Sequence, residues 1–128
     1  MVSYGTPFSG FSVADIPAAK AFYSDVVGLG VEEADGMLHL DLGGGHRVLV
    51  YPKGEAHSPA SFTVLNLPVD DVSAAVRELA GRGVTFERYD GMPQDDDGVM
   101  KGNGPDIAWF TDPSGNVLSV IGAPGPGR

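Results

Sequence analysis

The chain has 128 residues, of which 42% are hydrophobic and 20% charged, with no cysteine and a formal net charge of −9. This composition is typical of a globular protein with one core or two small fused halves, and it excludes disulfides, thiolate metal sites and a cysteine nucleophile. The negative charge argues against nucleic acid as a partner, because phosphates require a basic surface.

We expect neither a membrane span nor an export signal from this sequence. No apolar run approaches the roughly 20 residues that a membrane span needs. The N-terminal stretch "MVSYGTPFSG" has no basic region followed by an apolar core, so no export signal is visible. We therefore expect no membrane association and a cytoplasmic location.

In the first half, a strand is followed by a helix that begins after Asp15. Asp15 has the position of an N-cap, and Pro17 suits the first helical turn. One helix face is apolar and carries Ile16, Ala19, Tyr23 and Val26. Strands are predicted at about 30–34, 37–43 and 46–52, and "GGG" forms the turn before the last of them.

The second half follows the same order. Asp71 is the predicted N-cap of a helix with an apolar face formed by Val72, Ala75, Val76 and Leu79. Strands are predicted at about 84–89, 106–111 and 116–122. The stretch "WFTDPSGNVLSVIG" (109–122) is a strand, a tight turn and a strand, and its alternation turns Val117, Ser119 and Ile121 to one face.

The two halves repeat each other. "VADIPAAKAFY" (13–23) aligns with "VDDVSAAVREL" (69–79), and "VLVY" (48–51) with "VLSV" (117–120). Such self-similarity indicates a duplicated βαβββ unit. We predict a single domain over residues 1–128, built from modules at about 7–53 and 60–122, with a disordered tail at 123–128.

These features resemble a known superfamily. An early "D-x-x-x-A-x-x-F-Y-x-x-x-x-G-L", a late "F-x-D-P-x-G-N" and the paired βαβββ units are similar to the vicinal oxygen chelate superfamily, over about residues 7–122. Its members include glyoxalase I, extradiol dioxygenases, fosfomycin-resistance enzymes and bleomycin-binding proteins. The resemblance implies an α+β fold in which paired modules form a U-shaped mixed sheet around a cavity. It does not fix the activity, since one fold hosts many functions.

Enzymes of this family hold one divalent metal with two ligands from each half. By the resemblance, the first-strand places fall at Phe8 and Val64, and the last-strand places at Val50 and Ser119. The place of Ser119 is normally a glutamate. A divalent first-row ion needs imidazole or carboxylate donors at several of these places. The sequence therefore predicts that the metal site is lost and that no cofactor is bound.

We expect no other residues, such as His39, His46, His57 or the acidic run at 95–97, to replace these ligands. His46 and His57 are predicted to lie in exposed loops, and the acidic run at 95–97 lacks the spaced oxygen ligands of a calcium loop.

A pocket is predicted from strand parity. In "MLHLDL" (37–42) the leucines are expected to pack on helices, which turns His39 and Asp41 inward. Trp109 is likewise expected to face the cavity and Phe110 the core. The predicted apolar walls are Phe8, Val50, Phe62, Val64 and Trp109. The polar groups that interrupt them are His39, Asp41, Asn66 and Ser119.

Several of these residues have two interpretations. His39 and Asp41 form either a base and its orienter or a solvent-facing strand edge. Trp109 is either a ligand platform or core filler. Asn66 either contacts a ligand or satisfies a strand-end carbonyl. Ser119 has no base within sequence reach, which argues against a nucleophile.

The segment at 90–105 has no periodicity and is long for a connection, which is typical of a lid or a flexible insertion. Its candidate ligand contacts are Met92, Gln94, Met100 and Lys101. A loop that touches no ligand is the alternative.

Four functional hypotheses follow. We favour a metal-free protein that binds a small organic molecule, such as an antibiotic or natural product, as the resembled bleomycin-binding proteins do as homodimers. The alternative is a metal-independent lyase- or isomerase-type enzyme that uses His39 and Asp41. A metal-dependent glyoxalase, dioxygenase or thiol transferase is disfavoured by the ligand positions. An interaction module without a ligand is the fourth hypothesis.

Overall fold

The computed structural model describes residues 1–102 and 104–123. The chain divides into two compact units, residues 1–59 and 60–128. The elements of the first unit are β1 (Ser9–Val13), α1 (Ile16–Ala21), β2 (Gly30–Ala34), β3 (Met37–Asp41) and β4 (Arg47–Pro52). Those of the second unit are β5 (Thr63–Val69), α2 (Val72–Gly81), β6 (Ile107–Thr111) and β7 (Val117–Gly122).

The predicted α+β class is confirmed. The tail predicted at 123–128 lies outside the described residues, apart from Ala123.

Both helices begin after the aspartates that the sequence marks as caps. The Asp15 carboxylate accepts the N–H of Ala18 at 3.1 Å, and the Asp71 carboxylate accepts the N–H of Ala74 at 3.0 Å. Each bond satisfies an N–H group that the first helical turn leaves without a helical partner. Within the described residues, no helix has the length and apolarity to cross a membrane.

The first helix continues into a π-helical turn, Phe22–Val27, which ends at Gly28 with a φ of 87°. Tyr23 in this turn is fully buried. Its ring lies edge-on to Phe22 at a centroid distance of 5.2 Å and is tilted against Phe11 at 6.0 Å. A positive φ of this size favours glycine, which allows the chain to leave the helix at this point.

The sheet of the first unit has the strand order β1-β4-β3-β2. Strands β1 and β4 are parallel, and the other neighbours are antiparallel. Phe11 and Leu38 flank Val50 in the register, and all three are buried on the face that contacts α1. The opposite face, called here the far face of the first sheet, carries Gly10, Ser12, His39, Asp41, Arg47, Leu49 and Tyr51.

The sheet of the second unit has the order β5-β7-β6, with β5 parallel and β6 antiparallel to β7. Phe110 and Leu118 pair on the buried face beside α2. The far face of the second sheet carries Asn66, Trp109, Thr111, Val117, Ser119 and Ile121. The register therefore confirms the predicted alternation along β7.

The strand predicted at 84–89 is wrong. This segment forms only one bridge, between Phe86 and Phe110, and a bond from the Glu87 N–H to the Trp109 carbonyl at 2.8 Å. The N–H of Tyr89, two residues further on, instead donates to the side-chain oxygen of Gln94 at 2.8 Å. The backbone therefore leaves β6 after two residues and enters the following loop.

The internal repeat is offset by one residue from the predicted match. Strands β4 and β7 have six residues each, and aligning their buried positions pairs Leu49, not Val50, with Ser119. The offset was hidden because residues 48–50 are all apolar, so alternation is not visible there.

Candidate functional site

A cavity of about 290 Å³ opens on the far face of the first sheet. Its lining residues are Thr6, Pro7, Phe8, His39, Gly45, Arg47 and Leu49. Phe8 lies just before β1 and is 68% exposed, so most of its ring is available for contact. His39 and Leu49 lie directly opposite each other on β3 and β4. Mainly apolar walls with a few polar groups are typical of small-molecule sites.

Of the residues predicted from sequence, the structure brings Phe8 and His39 together in this cavity. Sequence reasoning missed Leu49 and Arg47. The signal was present in the glycine turn at 43–45, because a hairpin that closes there sets His39 opposite Leu49 and Asp41 opposite Arg47.

The structure corrects the predicted position of Val50. It was predicted to line the pocket, yet it is fully buried and pairs with Leu38 on the face that contacts the helix. Because side chains alternate along a strand, its neighbour Leu49 has the far-face position instead.

His39 and Asp41 share the far face, as predicted. His39 is half-buried and also lines a second cavity of about 220 Å³ with Asp41, Glu32 and Arg47. The Asp41 carboxylate accepts the N–H of Gly43 at 2.8 Å and so closes the turn after β3. Among the described residues, no hydrogen bond joins this carboxylate to His39. Use of the pair as a base and its orienter stays a prediction.

Three predicted site residues meet on the far face of the second sheet. The buried Ser119 hydroxyl donates to the side-chain oxygen of Asn66 at 2.6 Å. Trp109 lies opposite Ser119 in the register, and its ring stands edge-on to Tyr89 at a centroid distance of 5.5 Å. The Asn66 oxygen is therefore bonded within the sheet, and Trp109 has an aromatic neighbour that the sequence did not indicate.

Tyr89 also supplies a polar group beside Trp109. Burial first, and the nearby Glu87 carboxylate second, raise the pKa of the Tyr89 hydroxyl above its ordinary value. Both effects disfavour the phenolate. The hydroxyl therefore stays protonated at neutral pH and can donate a hydrogen bond.

Phe62 and Val64 lie at the start of β5. Phe62 precedes the strand and is 69% exposed, whereas Val64 is half-buried where the register shifts between Thr63 and Leu65. Their contact with a ligand stays a prediction.

The loop after Glu87 is held by the side chain of Gln94. Its amide nitrogen donates to the carbonyls of Glu87 at 3.0 Å and Gly98 at 2.8 Å, and its oxygen accepts the Tyr89 N–H. Met100 pairs with both Gln94 and Ile107. Because these bonds occupy both N–H groups of the amide, we do not include Gln94 in the proposed site. Ligand contact by Met100 stays a prediction.

The remaining histidines were predicted to be exposed. His46 is exposed, but His57 is half-buried and its Nδ1 lies 2.8 Å from the Ser12 hydroxyl. His57 therefore has a structural contact that His46 does not show.

The metal-ligand places of the resembled family do not fit a divalent ion in this chain. With the corrected register they are Phe8, Leu49, Val64 and Ser119, and none offers an imidazole or a carboxylate. Across residues 1–102 and 104–123, no group of three or more His, Cys, Asp or Glu side chains is placed to hold a metal ion.

Comparison with known proteins agrees with this architecture. Residues 8–120 match the family model described as the Glyoxalase/Bleomycin resistance protein/Dioxygenase superfamily. No curated protein matches the sequence.

Several solved structures share the fold. TnmS3, an antibiotic binding protein from Streptomyces sp. CB03234, has a TM-score of 0.63 and 23% identity, covering 96% of this chain and 100% of that chain. A putative glyoxalase family protein from Bacillus anthracis has a TM-score of 0.67 and 16% identity, covering 97% and 100%. The oxidase ChaP-H2 has a TM-score of 0.64 and 17% identity, covering 96% and 98%. At these identities the likeness shows the fold alone.

Proposed function

Because the chain belongs to the Glyoxalase/Bleomycin resistance protein/Dioxygenase superfamily, we propose that it binds a small organic molecule without a metal ion. The cavity on the far face of the first sheet carries this proposal. Its volume of about 290 Å³ is close to the lower end of the range for small-molecule sites, roughly 300–1,000 Å³.

Two further observations support the proposal. Phe8 and Leu49 give the cavity apolar contact surface, while His39 and Arg47 give it polar groups that can orient a ligand. TnmS3, similar in fold, is described as an antibiotic binding protein. We therefore place the ligand in the class of antibiotics and related natural products. We expect the protein to act as a homodimer, and light scattering of the purified protein measures this.

Binding is tested with a panel of aromatic natural products, by titration calorimetry and thermal shift. We expect Leu49→Gln and Phe8→Ser to weaken a hit, because both remove apolar contact in the cavity. Tyr4→Ser is the matched control, since Tyr4 is an exposed aromatic residue that lies outside the cavity lining. Equal affinity in wild type and both cavity variants would contradict the proposed site.

Metal independence is tested in the same samples. Elemental analysis of untagged protein, before and after dialysis against a chelator, should give well below one ion per chain. Ligand affinity should not change after dialysis. About one ion per chain, with binding lost on chelation, would contradict a metal-free site.

The enzymatic alternative has its own test. A metal-independent reaction that uses His39 and Asp41 would be lost in His39→Ala and kept in His46→Ala. His46 is a better control than His57, because His57 contacts Ser12 and its removal would disturb the fold.

A further inference from the structure

We propose that the ligand of the first-sheet cavity carries an anionic oxygen beside its apolar ring, and that Arg47 binds this oxygen. This proposal rests on the proposed function and specifies the chemical class of ligand for the same site. It concerns aromatic acids, acidic phenols and enols, whose anion is attached directly to a ring system.

The first argument is the charge of the lining. Arg47 is the only lysine, arginine, aspartate or glutamate among the residues that line this cavity. It is exposed at the start of β4. In the described part of the chain, the ion pairs within 4.0 Å involve other cations, and none involves Arg47. The guanidinium is therefore available to an incoming anion.

The nearby carboxylates are the obvious objection. Asp41 lies opposite Arg47 in the register, and Glu32 lines the second cavity with both of them. Neither carboxylate lines the first cavity. The Asp41 carboxylate also contacts the Gly43 N–H at 2.8 Å, which directs one of its oxygens to the turn. The one formal charge on the lining of the first cavity is therefore positive, in a chain whose net charge is −9.

The second argument is the arrangement of apolar and charged groups. On β4, Arg47 and Leu49 are two residues apart and thus on the same face, roughly 7 Å apart along the strand. A ring against Leu49 and Phe8 can therefore present an oxygen to Arg47 without leaving the cavity. The planar guanidinium forms two parallel bonds with a carboxylate or a similar oxyanion, and such charge-assisted bonds are stronger than neutral ones.

The test compares two fluorescent dyes that share a ring skeleton. The dye 8-anilinonaphthalene-1-sulfonate carries an anionic group, and N-phenyl-1-naphthylamine is its neutral counterpart. Both are titrated into the full chain and into the variants Arg47→Met, Arg47→Lys and Leu49→Gln. Arg82→Met is the matched control, because Arg82 lies at the end of α2 and pairs with Glu78 at 3.2 Å.

We expect the sulfonate dye to bind wild type about tenfold more tightly than the neutral dye, as one charge-assisted bond would give. Arg47→Met should remove this difference and leave the neutral dye unchanged. Arg47→Lys should retain part of it, and Arg82→Met all of it.

Two results would overturn the proposal in different ways. In the first, the neutral dye binds and Leu49→Gln weakens its binding, but the sulfonate dye binds no more tightly than the neutral dye. Equal effects of Arg47→Met and Arg82→Met on the sulfonate dye would have the same meaning. The proposed binding of an anion by Arg47 would then be wrong, whereas the cavity would stand as the ligand site. If neither dye shows binding that Leu49→Gln weakens, the cavity itself is not the site and both proposals fall.

Discussion

Ser119 occupies the place that the family resemblance gives to a metal-binding glutamate, and its hydroxyl is bonded to Asn66 instead. The hydroxyl is fully buried, whereas Asn66 is exposed. Loss of the bonding partner should therefore lower the free energy of unfolding more for the Ser119 hydroxyl than for the Asn66 amide. Only the buried hydroxyl has no water to replace its partner.

This asymmetry gives a prediction. Asn66→Leu leaves the Ser119 hydroxyl without a partner and should lower the free energy of unfolding by about 1–3 kcal/mol. Ser119→Ala should cost about 1 kcal/mol or less. The double variant should be more stable than Asn66→Leu alone, since it removes the unpaired hydroxyl. Urea unfolding measures all three, and additive losses would contradict the bond.

At the scale of single residues, local patterns were predicted well and register was not. The caps at Asp15 and Asp71 need only contacts three residues away, so the sequence contains them. The face of His39 was predicted because leucines flank it. The face of Val50 was predicted wrongly, because residues 48–50 are all apolar and show no alternation. Only the pairing of Val50 with Leu38 in the sheet determines which face its side chain occupies.

At the scale of elements, the loop between α2 and β6 has contacts that the sequence did not indicate. Residues 90–105 were predicted as a lid or a flexible insertion, and whether they cover a ligand stays a prediction. The structure shows that the loop is bonded to itself and to α2. The Arg88 guanidinium donates to the carbonyls of Asp95 and Asp96 at 2.6 Å, and Asp97 pairs with Arg77 at 3.3 Å. These contacts are made by polar side chains in a segment without a periodic apolar pattern. Hydrophobic periodicity therefore could not predict the contacts.

Asp95 makes the loop sensitive to acid. Its burial alone would raise the pKa of the carboxyl, but the N–H groups of Val99 and Asp97 and the Lys101 ammonium outweigh burial and lower the pKa. The folded pKa is therefore below the unfolded one, so the folded state binds fewer protons in this range. The resulting stability is present above the unfolded pKa, about 3.9, and is lost as the pH falls through the folded value.

We therefore expect Asp95→Asn to be less stable than wild type at pH 7, with a difference that shrinks between about pH 5 and pH 2. Thermal unfolding across this range measures it. Asp96→Asn is the control, because it removes one negative charge from the same loop. A difference that stays constant with pH, or that Asp96→Asn reproduces, would contradict the role of the Asp95 carboxylate.

At the scale of the whole molecule, charge is the dominant feature. The chain has 17 acidic and 8 basic residues. The four ion pairs found among the described residues are all at the surface, where each contributes little. We therefore expect repulsion between like charges to outweigh pairing, and to weaken as salt is added.

The melting temperature should accordingly rise when sodium chloride increases from about 20 to 300 mM, a change that shortens the screening length to below about 10 Å. Differential scanning fluorimetry measures this, with an uncharged osmolyte at equal osmolarity as the control. A falling melting temperature would show that the surface ion pairs contribute more than the repulsion costs.

The loop after Phe86 also determines what lies along β6. Strand β6 is the edge strand of its sheet. Among the described residues, only Phe86, Glu87 and Met100 pair with the backbone N–H and C=O groups on its outer side. An uncovered strand edge can add a strand from another chain. Loosening the loop, for example by removing the Gln94 amide, would therefore appear first as concentration-dependent aggregation, before any change in ligand affinity.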